Sequence, residues 1–495
     1  MSTHQQLPPP AEAPAPLPTA GSGRIFSKPV LAWASWDWGS AAFNAIMTTF
    51  VFTVYLTSEA FGGEERTSQV LGWGLAAAGL LIALLAPVTG QRSDSGGRRK
   101  LWLGVNTVIV AVLTALCFFV FPSPGMLILG VALIAAANVF FEFAGVNYNA
   151  MLTQISTPAT IGRVSGFGWA MGYVGGIAAL VVVLVVFIQP VVDWAGASSE
   201  DGLNIRLVAV FSALWFAAFA LPVMFAVPEV PRRARAAQLN FLASYGLLAR
   251  RVKTIYRESP HTIFFLLASA IFRDGLAAVF TFGGILAAGA FGFSASMVIV
   301  FAIAANVVAA IGAVIGGFLD DRIGPKRVII AALVGLLVAG TAILLLGTRT
   351  HSFFGTEWTS DTTFWVFGLL GSGTAILILG AEDHDFFGVQ WSGDTTFWVF
   401  GLLLTLFVGP AQASSRAYLA RLAPVGDEGE LFGLYATTGR AVSFLAPTLF
   451  ALCIGIFGSQ LYGVIGILVV LLAGLLVLLP VKPPARVRRA VVPEA

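Results

Sequence analysis

The chain has 495 residues, of which 57% are hydrophobic and only 11% carry a charged side chain. Soluble globular domains average about 25% charged residues, so the composition excludes a soluble domain and indicates a protein with many membrane-spanning segments. The formal net charge of +3 does not indicate a nucleic-acid partner, because the basic residues lie at the ends of apolar segments, where the membrane explains them. We expect the lipid bilayer to surround most of the chain.

Twelve apolar runs are long enough to cross a bilayer, which takes about 20 residues. Residues 1–27, rich in Pro, Ala and Gln, predict a disordered cytoplasmic tail before the first run. Residues 28–227 then predict one six-helix half and residues 261–480 a second. The predicted spans are 30–56, 69–89, 101–121, 126–150, 164–188, 205–227, 262–288, 294–319, 328–347, 396–414, 431–457 and 460–480. The fold class is therefore an all-α membrane protein.

Residues 228–260 predict a cytoplasmic linker between the halves, with an amphipathic helix at 239–248 on the membrane surface. Lys and Arg concentrate before the first span, after each even-numbered span up to the tenth, and in the basic tail 481–495. Cytoplasmic loops carry the excess of Lys and Arg. Both termini are therefore expected in the cytoplasm, with the chain in the cell (inner) membrane.

A tandem duplication disturbs the count of spans. Residues 340–370 recur as 373–403, an offset of 373 − 340 = 33 residues, and create an extra apolar segment at 363–380. A thirteenth crossing would move Arg416, Arg421 and the basic tail outside, against the charge rule. We expect 363–380 not to cross as an independent span, and to dip in from the outside and return.

Histidine and cysteine do not indicate a metal site or a cofactor. Cys117 and Cys453 lie inside apolar runs and predict free thiols. His351 and His384 repeat because their segment is duplicated, so no metal and no cofactor is expected.

Two short basic turns share the pattern G-x-x-x-D-x-x-G-x-[KR]-[KR] and lie between the second and third spans of each half. The first contains Gly90, Asp94, Gly97, Arg98 and Arg99, and the second Gly317, Asp321, Arg322, Gly324 and Lys326. Glycine permits the tight turn. The Asp can cap the next helix or pair with a neighbouring Arg. Two copies at matching positions indicate an internal repeat.

This pattern resembles the signature loop of the major facilitator superfamily, which implies that the two turns are gating loops. The first copy departs from the family pattern, since Ser95 stands where Lys or Arg is usual, as Arg322 does in the second copy. We expect the first gate contact to be the weaker one.

Five ionisable residues lie inside predicted spans, where charge is costly and usually functional. They are Asp37, Glu142, Arg273, Asp274 and Arg440. Asp37 and Asp274 occupy matching places on the first span of each half and can face one central cavity. There each carboxylate could take up a proton, bind an ammonium group or pair with Arg. The alternatives are that Asp37 caps or hydrogen-bonds near the cytoplasmic end of its helix and that Arg273 and Asp274 pair with neighbouring helices.

Further polar candidates for substrate binding or proton coupling are Asn147 and Gln412, beside the charged residues above. Arg440 is a candidate counter-ion for Glu142, for Asp274 or for a substrate carboxylate. Alternatively its side chain reaches back to the inner surface. Glycines spaced along 162–176 allow close helix contact, which suits either a rocking interface or a static bundle.

Longer motifs resemble the vacuole-effluxer-like branch of the superfamily, whose fungal members are autophagy-related vacuolar amino-acid exporters. They are Asp37-Trp-Gly-Ser-Ala-Ala-Phe, Gly162-Arg-Val-Ser-Gly-Phe-Gly-Trp-Ala-Met-Gly-Tyr, Gln412-Ala-Ser-Ser-Arg416 and Phe432-Gly-Leu-Tyr. The resemblance covers 28–480 apart from the duplication. It implies a monomeric bundle whose two halves rock around a midplane site, but it does not carry a substrate over.

The function expected is a secondary active transporter of a small solute by alternating access. Proton coupling would use Asp37, Glu142 or Asp274, and a zwitterion such as an amino acid would suit a cavity with both Asp and Arg. The alternative is a transport-inactive membrane scaffold or receptor with the same bundle. An enzyme is not expected, because the chain has no Walker loop, nucleophile elbow or metal-spaced His–Cys cluster.

Overall fold

The computed structural model describes residues 24–482, except 191–197, 230–240, 290–294, 347–350, 354–355, 359–383, 387–388, 392, 425 and 459–461. These residues are almost entirely helical, as the apolar runs predict. Nine of the described helical segments are long and apolar enough to cross a membrane. Three further helices occupy the predicted spans 328–347, 396–414 and 460–480. Prediction and structure therefore agree on where the spans lie.

The first half begins with a helix that has Pro29 in its first turn, where proline needs no hydrogen-bond acceptor. This first span continues from α1 through a π-helical stretch, Phe43–Phe50, into the short α2. The helices are α1 (Lys28–Ala42), α2 (Phe52–Leu56), α3 (Glu64–Gly96), α4 (Arg99–Leu116), α5 (Leu127–Ala150), α6 (Leu152–Ile155), α7 (Ile161–Val183) and α8 (Leu203–Ala226).

The linker contains an amphipathic helix, α9 (Phe241–Glu258), close to the predicted position. Its Tyr245 hydroxyl donates to the carbonyl of Leu84 on α3, which attaches the linker to the first half. The basic residues of α9 follow this anchor, as expected for a helix on a membrane surface.

The second half contains α10 (Pro260–Gly289), α11 (Ala295–Ile323), α12 (Pro325–Leu346), α13 (Gly393–Leu422), α14 (Glu428–Val442), α15 (Leu445–Phe457) and α16 (Gly463–Leu478). Its fifth span is interrupted, because α14 stops at Val442 and α15 starts at Leu445, with two residues between them. An interrupted span exposes a helix N-terminus inside the membrane, where its N–H groups need a partner.

The duplicated sequence forms the same small hairpin twice. Strands β1 (His351–Phe353) and β2 (Thr356–Trp358) pair antiparallel with His351 opposite Trp358. Strands β3 (His384–Phe386) and β4 (Val389–Trp391) repeat that register, with His384 opposite Trp391. The predicted extra segment, 363–380, lies outside the described residues.

Both termini of the described chain lie at one end of the bundle, which we call the inner end. The Lys326 ammonium, at the start of α12, donates to the carbonyls of Leu479 and Val481 just beyond α16. Phe26, before α1, contacts the Phe167 ring near the start of α7. Chain direction then alternates from span to span, with α13 running back to the inner end.

Candidate solute pathway between the two halves

The first basic turn joins the two halves through a buried Asp–Arg–Glu cluster. The Arg99 guanidinium donates to Asp94 at 2.7 Å and to Glu428, at the start of α14, at 2.6 Å. The second Asp94 oxygen accepts the backbone N–H of Glu430 at 2.9 Å. Asp94 therefore caps α14 of the opposite half, where its negative charge interacts favourably with the positive N-terminal end of the helix dipole.

The second basic turn repeats this arrangement in the opposite direction. Asp321, at the end of α11, accepts the backbone N–H groups of Gly162 and Arg163 at 2.8 and 3.1 Å. It also pairs with the Arg163 side chain at 2.9 Å and with Arg421 at 3.1 Å. Arg421 pairs in addition with Asp320. Each turn's Asp thus caps a helix of the other half. Of the two predicted roles, pairing with a neighbouring Arg is found for Asp94 with Arg99, whereas neither Asp caps the next helix.

The remaining residues of the two turns have local roles. Gly97 and Gly324 adopt φ of 59° and 93°, a region that favours glycine, and so terminate α3 and α11. Arg98 and Arg322 are exposed. Ser95 donates to the carbonyl of Arg92 on its own helix, so the contact between the halves is made by other residues of the turn. A weaker first gate stays a prediction.

Glycines let the halves meet backbone to backbone at this end. A Cβ added to Gly90 would lie 2.1 Å from the carbonyl oxygen of Gly429, and one added to Gly317 would lie 2.7 Å from that of Gly162. Gly166 is equally tight against the Ala313 carbonyl, at 2.3 Å. Small residues therefore permit the contact that the predicted glycine pattern requires.

A third contact between the halves lies deeper in the bundle. Asp37, about 14 Å along α1 from its inner terminus, accepts the Tyr148 hydroxyl at 2.8 Å. It pairs with Arg416 of α13 at 3.2 Å. The Asp37 side chain is 19% exposed and that of Arg416 only 6%. A buried carboxylate needs such a counter-charge, because its desolvation costs several kcal/mol.

Arg416 is held by further groups of the first half. Its guanidinium donates to the Ser165 hydroxyl and carbonyl at 3.0 and 2.6 Å. The rings of Trp33, Tyr148 and Trp169 lie 4.9, 5.8 and 5.5 Å from its central carbon. Trp33 stacks on Tyr148 with centroids 4.5 Å apart. The second half therefore inserts one cation into an aromatic and polar cage on the first, which stabilises it by hydrogen bonding and cation–π attraction.

A fourth contact pairs Glu142 on α5 with Arg440 on α14. Arg440 also donates to the Asn138 amide oxygen at 3.4 Å. The side chains are about 30% exposed, with 31% for Arg440 and 29% for Glu142. Of the predicted counter-ions for Arg440, the structure thus selects Glu142, and the pair is partly exposed.

Arg273 and Asp274 point to different partners, as adjacent helical positions predict. The Arg273 guanidinium lies 3.9 Å from the centre of the Tyr435 ring. Asp274 accepts the backbone N–H of Ala446 at 2.7 Å and so caps α15 where the fifth span is interrupted. Asp274 is therefore not equivalent to Asp37, although both occupy the same position in the sequence repeat.

Two polar candidates differ in their surroundings. The Gln412 amide oxygen accepts the hydroxyl of Tyr173 across the interface between the halves. Asn147 is buried and donates to the carbonyl of Phe143, one turn back on its own helix, at 2.9 Å. Gln412 therefore lies between the halves, whereas Asn147 bonds within α5.

Arg416 is the site residue that sequence reasoning missed. Its position near the end of α13 indicates only a membrane-surface charge. The signal that could have found it is the run Gln412-Ala-Ser-Ser-Arg416, which ends one branch-like motif. Within the described ranges, no three His, Cys, Asp or Glu residues cluster closely enough to hold a metal ion.

Comparisons with known proteins identify the family of this chain. The family model described as vacuole effluxer Atg22 like matches residues 153–490, more than half of the chain, and that of the Major Facilitator Superfamily matches residues 2–180. A Bacillus subtilis (strain 168) protein, the uncharacterized MFS-type transporter YxiO, is 24% identical over 462 residues, covering 92% of this chain and 94% of that protein.

Solved structures share the fold at low identity. The E. coli fucose:proton symporter FucP superposes with a TM-score of 0.62 at 14% identity, over 93% of this chain and all of that one (100%). The human organic anion transporter MFSD10 superposes with a TM-score of 0.59 at 16% identity, over 91% and 98% of the two chains. The predicted fold class is thereby confirmed. With its paired six-helix halves and inter-half contacts, the chain belongs to the vacuole effluxer Atg22-like family of major facilitator transporters, which are integral membrane proteins and not enzymes.

Proposed function

We propose that this protein carries a small solute across the membrane by alternating access, with the inner end facing the cytoplasm and closed in the state described here. The observation that supports it most is the Asp37–Arg416 pair, which joins the two halves deep in the bundle. A static bundle gains little from burying such a pair instead of apolar groups. A rocking bundle can use it, since the pair breaks when the halves separate.

We further propose that proton uptake is coupled to this separation. The counter-ion of Asp37 belongs to the other half, so opening the inner end removes the positive charge that stabilises the carboxylate. Loss of an opposite charge favours the protonated form. Asp37 would then be charged in the inner-closed state and protonated when the inner end opens. We infer that the substrate is an amino acid or a related metabolite, and that the protein exports it as a monomer.

Transport by purified protein in proteoliposomes tests the proposal. Proteoliposomes loaded with a radiolabelled amino-acid mixture should lose label faster than liposomes without the protein. The loss should be faster still under an imposed pH gradient of the correct sign. Asp37→Asn should abolish the response to the gradient, whereas Glu258→Gln, at an exposed position on α9, should keep it. Efflux without any response to pH would contradict proton coupling, and no transport of any solute would favour a scaffold.

The proposed orientation has a separate test. A cysteine added in the tail 481–495, in a background lacking Cys117 and Cys453, should react with an impermeant maleimide only after the cells are opened. Labelling in intact cells would place the inner end outside and overturn the orientation.

A further inference from the structure

Arg273 is a cation near the middle of the membrane without an acidic partner. It lies 13 residues after the start of α10, or about 20 Å from the inner terminus of a span through a core of about 30 Å. No Asp or Glu of the described chain lies within the 4.0 Å salt-bridge limit of Arg273. The other arginines at the interface all have such a partner: Arg99, Arg163, Arg416, Arg421 and Arg440.

One nitrogen of this guanidinium is also without an acceptor. Nη1 of Arg273 is buried and makes no hydrogen bond in the part of the chain that the structure describes. The neighbouring carboxylate does not supply one, because Asp274 is engaged by the N–H of Ala446. A buried, charged donor without an acceptor destabilises the folded state. Such a group indicates that a partner is missing from this state.

The guanidinium is held in place while its Nη1 has no acceptor among the described residues. It lies 3.9 Å from the centre of the Tyr435 ring, and the Tyr435 hydroxyl is hydrogen-bonded to Ser415 of α13 at 2.8 Å. Stacking on a ring fixes the plane of the guanidinium but uses none of its N–H groups. The ring thus preorganises Arg273 for a planar, two-oxygen acceptor, which is the geometry of a carboxylate.

A glycine of α14 faces Nη1, so no side chain from that position covers it. The nearest approach of a Cβ added to Gly439 would be to Nη1 of Arg273, at 3.6 Å. Gly439 precedes Arg440, whose pair with Glu142 is partly exposed. The Arg440–Glu142 pair therefore begins one residue along α14 from the glycine that faces Arg273.

We propose that Arg273, held on the Tyr435 ring, binds the carboxylate of the transported solute. This assignment rests on the proposed function and narrows its substrate to carboxylate-bearing solutes. Neutral sugars and simple amines would not satisfy the guanidinium, because they offer no anionic two-oxygen acceptor.

Thermal unfolding of the purified protein in detergent tests the assignment. The probes are the 20 common amino acids, their primary amides, a set of dicarboxylates, neutral sugars and inorganic phosphate. A ligand that binds the folded state raises the unfolding temperature. We expect the stabilising compounds to be carboxylates and their amides to have no effect. Arg273→Gln should weaken the binding of each stabilising carboxylate by about tenfold or more, and Arg273→Lys should weaken it by less. Arg250→Gln, at an exposed position on α9, should not change this binding.

Each outcome decides the matter. Stabilisation by sugars, or by amides as strongly as by the acids, would overturn the carboxylate site. So would stabilisation by a carboxylate that Arg273→Gln does not diminish, or the absence of any stabilising carboxylate. Stabilisation by phosphate but not by carboxylates would assign Arg273 to a phosphate-bearing solute and also overturn it. Proteoliposome transport of a neutral solute would leave the transporter function intact and reject only this assignment.

Discussion

Asp37 and Asp274 show how one residue type at one repeat position acquires two roles. Asp37 pairs with Arg416 of the opposite half, whereas Asp274 caps α15 within its own half. The difference arises from the interrupted fifth span, whose free N–H groups capture the carboxylate of Asp274. The two halves therefore share a fold without sharing the contact that this repeat position makes.

Substitution at the Asp37–Arg416 pair should reveal coupling between the halves. Arg416→Gln should destabilise more than Asp37→Asn, because it leaves a largely buried carboxylate with only the Tyr148 hydroxyl, whereas Arg416 keeps Ser165 and three rings. We expect up to about 3–5 kcal/mol for the loss of one partner. The double variant should cost less than the sum, by about 1–3 kcal/mol.

The free energy of unfolding is measured in one detergent for the unmodified protein, the two single variants and the double variant, which together form a double-mutant cycle. Arg250→Gln is the control for loss of an exposed cation. Strict additivity of the two single variants would show that the pair contributes nothing as a pair.

Asp274→Ala should remove a helix cap and little else. Loss of an N-terminal cap costs about 1 kcal/mol, so the unfolding temperature should fall modestly, and Asp274→Asn should recover most of it because an amide oxygen also accepts the N–H of Ala446. A full loss of transport with Asp274→Asn and unchanged stability would instead assign Asp274 a role in proton or solute binding.

At the scale of elements, two helices begin at the interface and are capped from the other side of it. Asp94 caps α14 and Asp321 caps α7, so neither cap survives separation of the halves. The two caps and their arginines close the inner end by the same physical means in both halves. Opening must expose these helix N-termini to water, which can then satisfy their N–H groups.

Gly90→Ala should open the inner end. The added Cβ would lie 2.1 Å from the backbone of Gly429, and backbone cannot yield as a side-chain tip can, so α3 and α14 must move apart. Gly96→Ala on the same helix meets no atom within 4 Å and is the matched control.

The readout is maleimide labelling of Ser165→Cys, a buried position between the halves, in a background lacking the native cysteines. We expect labelling several-fold faster with Gly90→Ala than with Gly96→Ala. Equal rates in the two variants would mean that the halves absorb the methyl group without separating.

At the scale of the whole molecule, charged contacts join the halves at successive depths. The basic turns lie at the inner end, followed by Asp37 with Arg416, then Glu142 with Arg440, and Arg273 lies nearest the membrane centre. Paired charges at the inner levels and an unpaired cation at the deepest level fit a bundle that is closed below a solute site.

Removal of one copy of the duplication should leave the molecule intact. Deletion of 351–383 removes 33 residues and retains a single hairpin between α12 and α13. Because α12 runs away from the inner end and α13 runs back to it, the two helices can be joined by one hairpin without a further crossing of the membrane. Expression, unfolding temperature and transport should match the full chain. Loss of folding would show that the second copy contributes contacts that the first cannot replace; a loop of equal length and polar sequence in place of 351–383 is the control.

Apolar runs and basic residues are enough to predict the spans, the repeat, the linker helix and the two basic turns, because each of these follows from local sequence and the thickness of a bilayer. The partners of the charges were not predictable in this way. The position of Arg416 predicts only a surface charge, and those of Asp94 and Asp321 predict a cap on the next helix or a pair with a neighbouring Arg, of which only the Asp94–Arg99 pair is found. The groups that they contact in the other half lie 100 or more residues away in the sequence. Only the packing of one half against the other decides which helix N-terminus or carboxylate each of them meets.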